Sequence, residues 1–266
     1  MRDADEVQLQ GGNVNPGAVV RVGATVRRPA GEGSATVHNV LLHLERVGFD
    51  QAPRFLGIDE QGREVLSFHD GVNVWESQHQ VLKSLDGVRA IGKLVRDLHD
   101  ALATYTPPTN AVWKDALRDP MGGARVIHGD LGPWNLVAKP DSYRCAVIDW
   151  DTAAPGRLEW ELAYTLQTVA FLWGDPPPWR SDPFDAHETA ARIKAFADGY
   201  DLDEELLVAS LQTASTRSTA MADFIELRAD AGDAAFRKMR DEGHASAWLA
   251  GAQAIDKNLP AWLALL

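Results

Sequence analysis

VIHGDLGPWNLVAKPDSYRCAVIDWDTA, residues 126–153, is the stretch that decides how this chain is read. Two apolar runs, 124–127 and 145–149, have the length and branched-residue content of short strands. Between them lie a loop over 128–135 and a turn near 140–142, marked by Pro, Asp and Ser. Asp130 is followed five residues on by Asn135 and fourteen residues later by Asp149. A hairpin with that spacing presents all three side chains at one end. Their oxygens are hard donors that suit Mg²⁺, which takes one or two protein ligands and fills its octahedron with waters and substrate phosphates.

Working outward, residues 88, 91, 94, 95, 98 and 102 are Val, Ile, Leu, Val, Leu and Leu, the apolar stripe of an amphipathic helix ahead of this segment. Behind it the pattern predicts a helix over 159–173, a break at DPPPW, and helices from His187 to the end. The first 70 residues have another texture. Segments 7–10, 18–22 and 25–28 are β-prone and punctuated by GGNVNPG and Gly23. Val37, Val40, Leu41, Leu44 and Val47 then recur at helical spacing, with Ser34 and Thr36 as available caps and Gly48 as a stop. Strands are expected over 54–58 and 63–68, joined by a turn at 59–62.

With 266 residues, 45% hydrophobic and 24% charged, the chain can bury a core of one large domain or two lobes. The net charge of −12 argues against nucleic acid or an anionic membrane as partner. The first 68 residues carry seven basic and nine acidic side chains, so most of the negative charge belongs to the remainder. The single cysteine, Cys145, precludes an intrachain disulfide. The polar first ten residues do not read as a signal peptide, and no apolar run approaches a bilayer span. A cytoplasmic location is the expectation. H-E-x-x-H, C-x-x-C and the G-x-x-x-x-G-K-[ST] loop are all missing, which disfavours a zinc site or a P-loop NTPase.

H-G-D-x-x-x-x-N followed by I-D-W-D stands where protein kinases carry H-R-D-x-x-x-x-N and the metal-binding D-F-G. The chain resembles the aminoglycoside phosphotransferases and their small-molecule kinase relatives. LQGGNVNPGAVVRV resembles their nucleotide-loop hairpin, TVRRP the third strand, LSFHDG the hinge, LVRDLHDAL the helix before the catalytic loop, and EWELAY the helix after the metal motif. The likeness runs from about Leu9 to Tyr164. It implies an α+β, bilobal protein-kinase-like fold: a small antiparallel-sheet lobe over 1–70, a hinge near 66–71, and a larger, mainly helical lobe over 71–266 that holds the catalytic and acceptor residues.

The resemblance further implies transfer of phosphate from ATP, or GTP, to a small-molecule hydroxyl, with Mg²⁺. Asp130 would orient the acceptor hydroxyl, and Asn135 and Asp149 would hold the metal. Gly11 and Gly12 would line the phosphate loop, backbone groups of Ser67 and His69 would read the base, and Arg27 would be the phosphate-binding cation. A one-residue shift of the strand would put Arg28 there instead. The helix partner of that cation should be a glutamate, but the best register places Val37 there with His38 beside it, so no such strand-to-helix ion pair is expected, and what replaces it is left open.

His128 is read as a hydrogen-bonding scaffold and Glu161 as an anchor of the catalytic loop. Asp151 is open between a supporting acid, an acceptor contact and a turn cap. Trp173 and Trp179 flank the Pro-rich break, where they are either core or acceptor-pocket residues. The acceptor is expected to be cationic or neutral: an aminoglycoside, amino sugar, amino alcohol or polyol. Two other functions fit the same carboxylates, a nucleotide-binding regulator without transfer activity and a Mg²⁺-dependent phosphohydrolase.

Overall fold

The computed structural model describes residues 6–9, 18–114 and 117–266. Gly11 and Gly12 lie outside the described residues. The chain runs through strands β1 (Val7–Gln8), β2 (Val20–Val22) and β3 (Thr25–Pro29), helix α1 (Ser34–Arg46), then β4 (Phe55–Ile58) and β5 (Arg63–Ser67). These strands form one antiparallel sheet in the order β1-β2-β3-β5-β4. On α1, Val37, Val40, Leu41 and Leu44 are buried at the expected spacing. Neither Ser34 nor Thr36 caps the helix, which starts from Gly33. Their hydroxyls instead accept N–H bonds from Gly31 and Val112, at 2.9 Å each.

After the short β6 (Val72–Asn73) and α2 (Gln80–Lys83) comes α3 (Leu85–Leu102). Its predicted stripe is buried throughout. The Ser84 hydroxyl caps α3 by accepting from the Gly87 N–H at 3.1 Å. The site-bearing segment follows as β7 (Arg125–Ile127), β8 (Leu136–Ala138), β9 (Cys145–Val147) and β10 (Ala154–Gly156). β6-β8-β9 form one small antiparallel sheet and β10-β7 another. β8 is an additional strand, three residues long and too short for periodicity to register. β9 ends at Val147, two residues earlier than the apolar run suggests, because Asp149 turns the chain with φ 60°.

Helices α4 (Leu158–Val169), α5 (Ala186–Tyr200), α6 (Glu204–Asp230), α7 (Ala234–Asp241) and α8 (His244–Leu263) complete the fold. α4 stops short of the predicted 173 because Phe171 adopts φ 60° and the Leu172 N–H returns to the Gln167 carbonyl at 3.0 Å. α3 packs on α5 where Gly92 meets the Phe196 backbone and Gly199 meets the Arg89 backbone, so closely that a Cβ at either glycine would lie within 2.2 Å of a carbonyl oxygen. One apolar core joins α1, α3, β8, β9, α4 and α5. A second cluster, with Tyr164, Ile225, Phe236 and Trp248, ties α4 to α6, α7 and α8. No described helix is long and apolar enough to cross a membrane.

Candidate active site

The loop between β7 and β8 is fixed peptide by peptide. The His128 carbonyl accepts from the Thr152 hydroxyl at 2.9 Å, and the Gly129 N–H donates to Glu161 Oε1 at 2.7 Å. In the next peptide the Gly129 carbonyl accepts from Arg217 Nη2 at 2.9 Å, and the Asp130 N–H reaches His128 Nδ1 at 3.3 Å. Gly129 has φ 83°, and a Cβ there would lie 2.5 Å from the Thr152 carbonyl, so only glycine fits this close approach. Because His128 Nδ1 accepts, Nε2 carries the proton, which it donates to the Ile148 carbonyl at 3.0 Å. The expected scaffold role of His128 is what this geometry describes.

Glu161 is almost fully buried and also accepts from His99 Nε2 at 2.7 Å. Burial pushes its carboxyl up, but the His99 and Gly129 bonds outweigh that and hold its pKa below the usual value. Its expected anchoring of the loop is therefore made directly, at the Gly129 amide.

The same loop brings Asp130, Asn135 and Asp149 to one place. Asn135 Nδ2 donates to the Asp130 carbonyl at 2.8 Å and to Asp130 Oδ2 at 2.9 Å, which leaves its amide oxygen for another partner. The Ile148 N–H donates to the Asn135 carbonyl at 2.9 Å, so both backbone groups of Ile148 are held by the loop and Asp149 follows immediately. Asp130 Oδ1 accepts from Trp134 Nε1 at 3.2 Å and from the Tyr164 hydroxyl. Burial and the adjacent Asp130 push the Tyr164 phenol well above its ordinary pKa, so it stays a donor. Nothing in the spacing of EWELAY marks Tyr164 as a partner of Asp130. Only the packing of α4 under the loop brings them together.

Of the two strand arginines, the structure brings Arg28 to Asp149 and Asp151, while Arg27 lies elsewhere. Successive strand residues face opposite ways, and β3 directs Arg27 to Thr25 and to Asp59, the latter at 3.6 Å. Arg28 stands opposite Glu64 in the β3–β5 register. Its Nε donates to Glu64 Oε1, Nη1 to Asp149 Oδ1 at 3.2 Å and Nη2 to Asp151 Oδ1 at 2.6 Å. Helix α1 supplies no glutamate to this cation, whose carboxylate partner is Glu64. Glu64 comes from β5 rather than from the helix, and His38 on α1 donates to its second oxygen at 2.6 Å. His38 is held in place by stacking on Phe55, with ring centroids 3.7 Å apart.

Desolvation, then the Asp151 charge, raises the pKa of Asp149, although half of its side chain remains open to solvent. Desolvation pushes Asp151 the same way, but Arg28 and Lys114, whose Nζ lies 3.5 Å from Oδ2, bring it below the ordinary value. Asp151 thus supports Arg28 and caps no helix side chain-to-backbone.

At the C-terminal end of β5, the Ser67 N–H is committed to the Arg54 carbonyl at 2.9 Å. Two residues on, the buried Nε2 of His69 has no partner among the described residues. Aromatic rings extend away from Asp130. Trp134 meets Tyr164, Trp248 and Trp75 edge-on, and Trp75 continues to Phe171, on which Trp179 packs. Trp173 packs on Trp248 at 4.5 Å.

Residues 110–206 match the model of the phosphotransferase enzyme family. The chain is 37% identical over 205 residues, 76% of each protein, to the trifolitoxin immunity protein of Rhizobium leguminosarum bv. trifolii. The fold is similar to that of amicoumacin kinase hAmiN in complex with AMP-PNP, Ca²⁺ and Ami, at TM-score 0.62 and 12% identity over 95% of this chain and 88% of that one. It is also similar to a choline/ethanolamine kinase family protein from Mesorhizobium loti, at TM-score 0.59 and 14% identity over 97% and 92%. A glucosamine kinase follows at TM-score 0.58 and 16% identity over 92% and 79%. This chain belongs to the phosphotransferase enzyme family, and its fold is the α+β, two-lobed, protein-kinase-like one.

Proposed function

We propose that this protein transfers the γ-phosphoryl group of ATP to a hydroxyl of a small molecule. The observation that carries the reading is the convergence of Asp130, Asn135 and Asp149, with Arg28 reaching them from the sheet. Asp130 Oδ2, the oxygen free of Trp134 and Tyr164, orients the acceptor hydroxyl. An alcohol is a far weaker acid than a carboxylic acid, so its proton moves late and positioning outweighs basicity. Asp149 and the amide oxygen of Asn135 suit Mg²⁺: both are hard donors, and the desolvation and neighbouring carboxylates that raise Asp149 are what a divalent cation offsets. When bound, Mg²⁺ would neutralise charge on the β- and γ-phosphates. Arg28 contacts phosphate oxygens and His69 lies at the base-reading hinge, while Gly11 and Gly12 belong to the phosphate loop. The lobes divide near residue 70, the acceptor is cationic or neutral, and the protein works in the cytoplasm.

A thermal-shift titration with Mg²⁺-ATP and Mg²⁺-GTP, followed by ADP release across aminoglycosides, amino sugars, amino alcohols and polyols, tests this reading. Nucleotide stabilisation with turnover on one such alcohol is expected. Stabilisation with no turnover on any hydroxyl would instead indicate a regulator, and phosphate release from monoesters without nucleotide a hydrolase.

The relative named an immunity protein supports a second, compatible role, protection of a cell from a toxic molecule that is itself the acceptor. Expression in a trifolitoxin-sensitive strain tests it. Survival with the native protein and death with Asp130→Asn is the expected pattern, whereas survival with both would mean protection by binding.

A further inference from the structure

We infer that Arg217, on α6, is a positioning residue for Asp130, holding the Gly129–Asp130 peptide and supporting Tyr164 from below. The inference rests on the phosphotransfer reading above and concerns a residue beyond the segment matched by the family.

Arg217 is 0% exposed, yet it forms no ion pair with a described carboxylate. A buried guanidinium without a counterion is costly, and it persists where the surroundings make specific use of it. Only Nη2 is hydrogen-bonded, to the Gly129 carbonyl at 2.9 Å, while Nε and Nη1 have no described partner. The guanidinium carbon lies 4.3 Å from the centre of the Tyr164 ring and 5.3 Å from that of Trp160. The Tyr164 hydroxyl donates to Asp130 Oδ1. One cation thus acts on Asp130 by two routes, through the peptide that carries its N–H and through the phenol that holds its carboxylate.

Glu161 complements it from the other side of the loop. Its carboxylate takes the Gly129 N–H, so an anion and a cation, both buried, grip adjacent peptides around one glycine. Desolvation lowers the Arg217 pKa, and the nearby Tyr164, Asp130 and Glu161 oppose that shift. Asp130 and Glu161 are the negative charges that balance a cation lacking a direct ion pair.

Arg217→Met keeps length and apolar volume and removes the charge, Arg217→Lys restores a cation, and Tyr164→Phe removes the hydroxyl while keeping the ring. Full-length variants are compared by amide hydrogen exchange at Asp130, by melting temperature, and by steady-state kinetics with Mg²⁺-ATP normalised to folded protein. Faster exchange at Asp130 in Arg217→Met is expected, together with a loss of about 10²-fold in kcat, of the size that a small misplacement of a reacting group produces. The KM for ATP should be unchanged, and Arg217→Lys should recover part of both effects. A merely structural arginine would alter the melting temperature and leave kcat per folded molecule intact. Wild-type exchange at Asp130 in Arg217→Met overturns the inference whatever the turnover. If the wild-type protein transfers phosphate to nothing, the phosphotransfer reading fails while the exchange experiment still decides whether Arg217 positions the loop.

Discussion

Arg28 on β3 and Glu64 on β5 stand directly opposite each other and are ion-paired across the sheet, with His38 bridging the pair to α1. The carboxylate that holds the strand cation is therefore built into the sheet, and the helix contributes an imidazole. Arginine suits this arrangement. Its fork spreads three directed donors over Glu64, Asp149 and Asp151, which a lysine ammonium on one flexible stem would not match.

The first expectation concerns that cation. Arg28→Met should weaken ATP far more than adenosine, since charge-assisted hydrogen bonds contribute about 1.5–3 kcal/mol each, or roughly 10- to 100-fold in affinity. Arg27→Met, on the opposite face and directed to Asp59, should leave nucleotide affinity within about fivefold, or about 1 kcal/mol. Isothermal titration with both ligands checks it. An equal loss for ATP and adenosine in Arg28→Met would mean that the strand is merely destabilised.

Asp130 and Asp149 should separate binding from chemistry. Asp149→Asn is expected to abolish Mg²⁺-dependent nucleotide stabilisation. Asp130→Asn should bind Mg²⁺-ATP normally and lose phosphoryl transfer by about 10²- to 10⁴-fold, the range for general-base residues. Unchanged turnover in Asp130→Asn would remove Asp130 from the mechanism.

Much of this arrangement is legible in the residues themselves, and what is not has identifiable physical causes. The α1 and α3 stripes follow from helical periodicity, and the H-G-D-x-x-x-x-N run places Asp130 beside Asn135 because both ride one tight loop. Arg28 is harder, since TVRRP offers two adjacent arginines and a one-residue slip exchanges their faces. Alternation does contain the signal: Val26 packs on the core, and Arg28, two residues on, shares its face. Glu64, Tyr164 and Arg217 are invisible for another reason. Each reaches the site across a gap of 34 residues or more, through strand pairing or helix packing that local patterns do not encode. The separation of 88 positions from Gly129 to Arg217 is the longest of the three.

Acid stability should report on Asp119, which lies ahead of α4. Its fully buried carboxylate accepts from the Arg157 Nε at 2.6 Å, from Arg157 Nη2 at 2.9 Å and from the Met121 N–H at 3.0 Å. Burial pushes the Asp119 pKa up, and the Arg157 and backbone bonds more than reverse it, so the folded value lies below the unfolded one. The stabilisation is therefore present above the unfolded pKa, about 3.9, and is lost as pH falls through the folded value. Asp119→Asn should cost about 1.5–3 kcal/mol near pH 7, the range for charge-assisted hydrogen bonds, because the Arg157 left behind is partly solvated and still faces Glu159. Urea unfolding should show that gap holding from pH 8 to about 5 and narrowing below about 4. A gap that stays constant down to pH 3 would mean that Asp119 acts through shape rather than charge.

The acceptor is the last question, and the aromatic rings divide it into two regions. Away from Asp130 the rings already carry protein cations: Arg192 lies 4.7 Å and Arg180 4.4 Å from the centre of Phe184, and Lys83 lies 5.9 Å from that of Trp179. Those ring faces are already taken by protein cations, two of them on Phe184, so an acceptor cation gains little there. Close to Asp130, Trp134 is half-buried and donates its indole N–H to Asp130, whose carboxylate shares the site with those of Asp149 and Asp151. An amino group on the acceptor should therefore bind within reach of these carboxylates, with the rest of the molecule on Trp134, while Trp179 contributes little. Trp134→Leu should raise the acceptor KM by about 10-fold or more, in keeping with about 1.5–3 kcal/mol for a buried large side chain, and Trp179→Leu by much less. For a cationic acceptor the KM should also rise with added salt, as the Debye length falls from about 10 Å at 0.1 M to about 3 Å at 1 M. Steady-state kinetics at fixed, saturating Mg²⁺-ATP measures both effects. A KM indifferent to salt but sensitive to Trp134 would select a neutral polyol or sugar held by ring contact and hydrogen bonds.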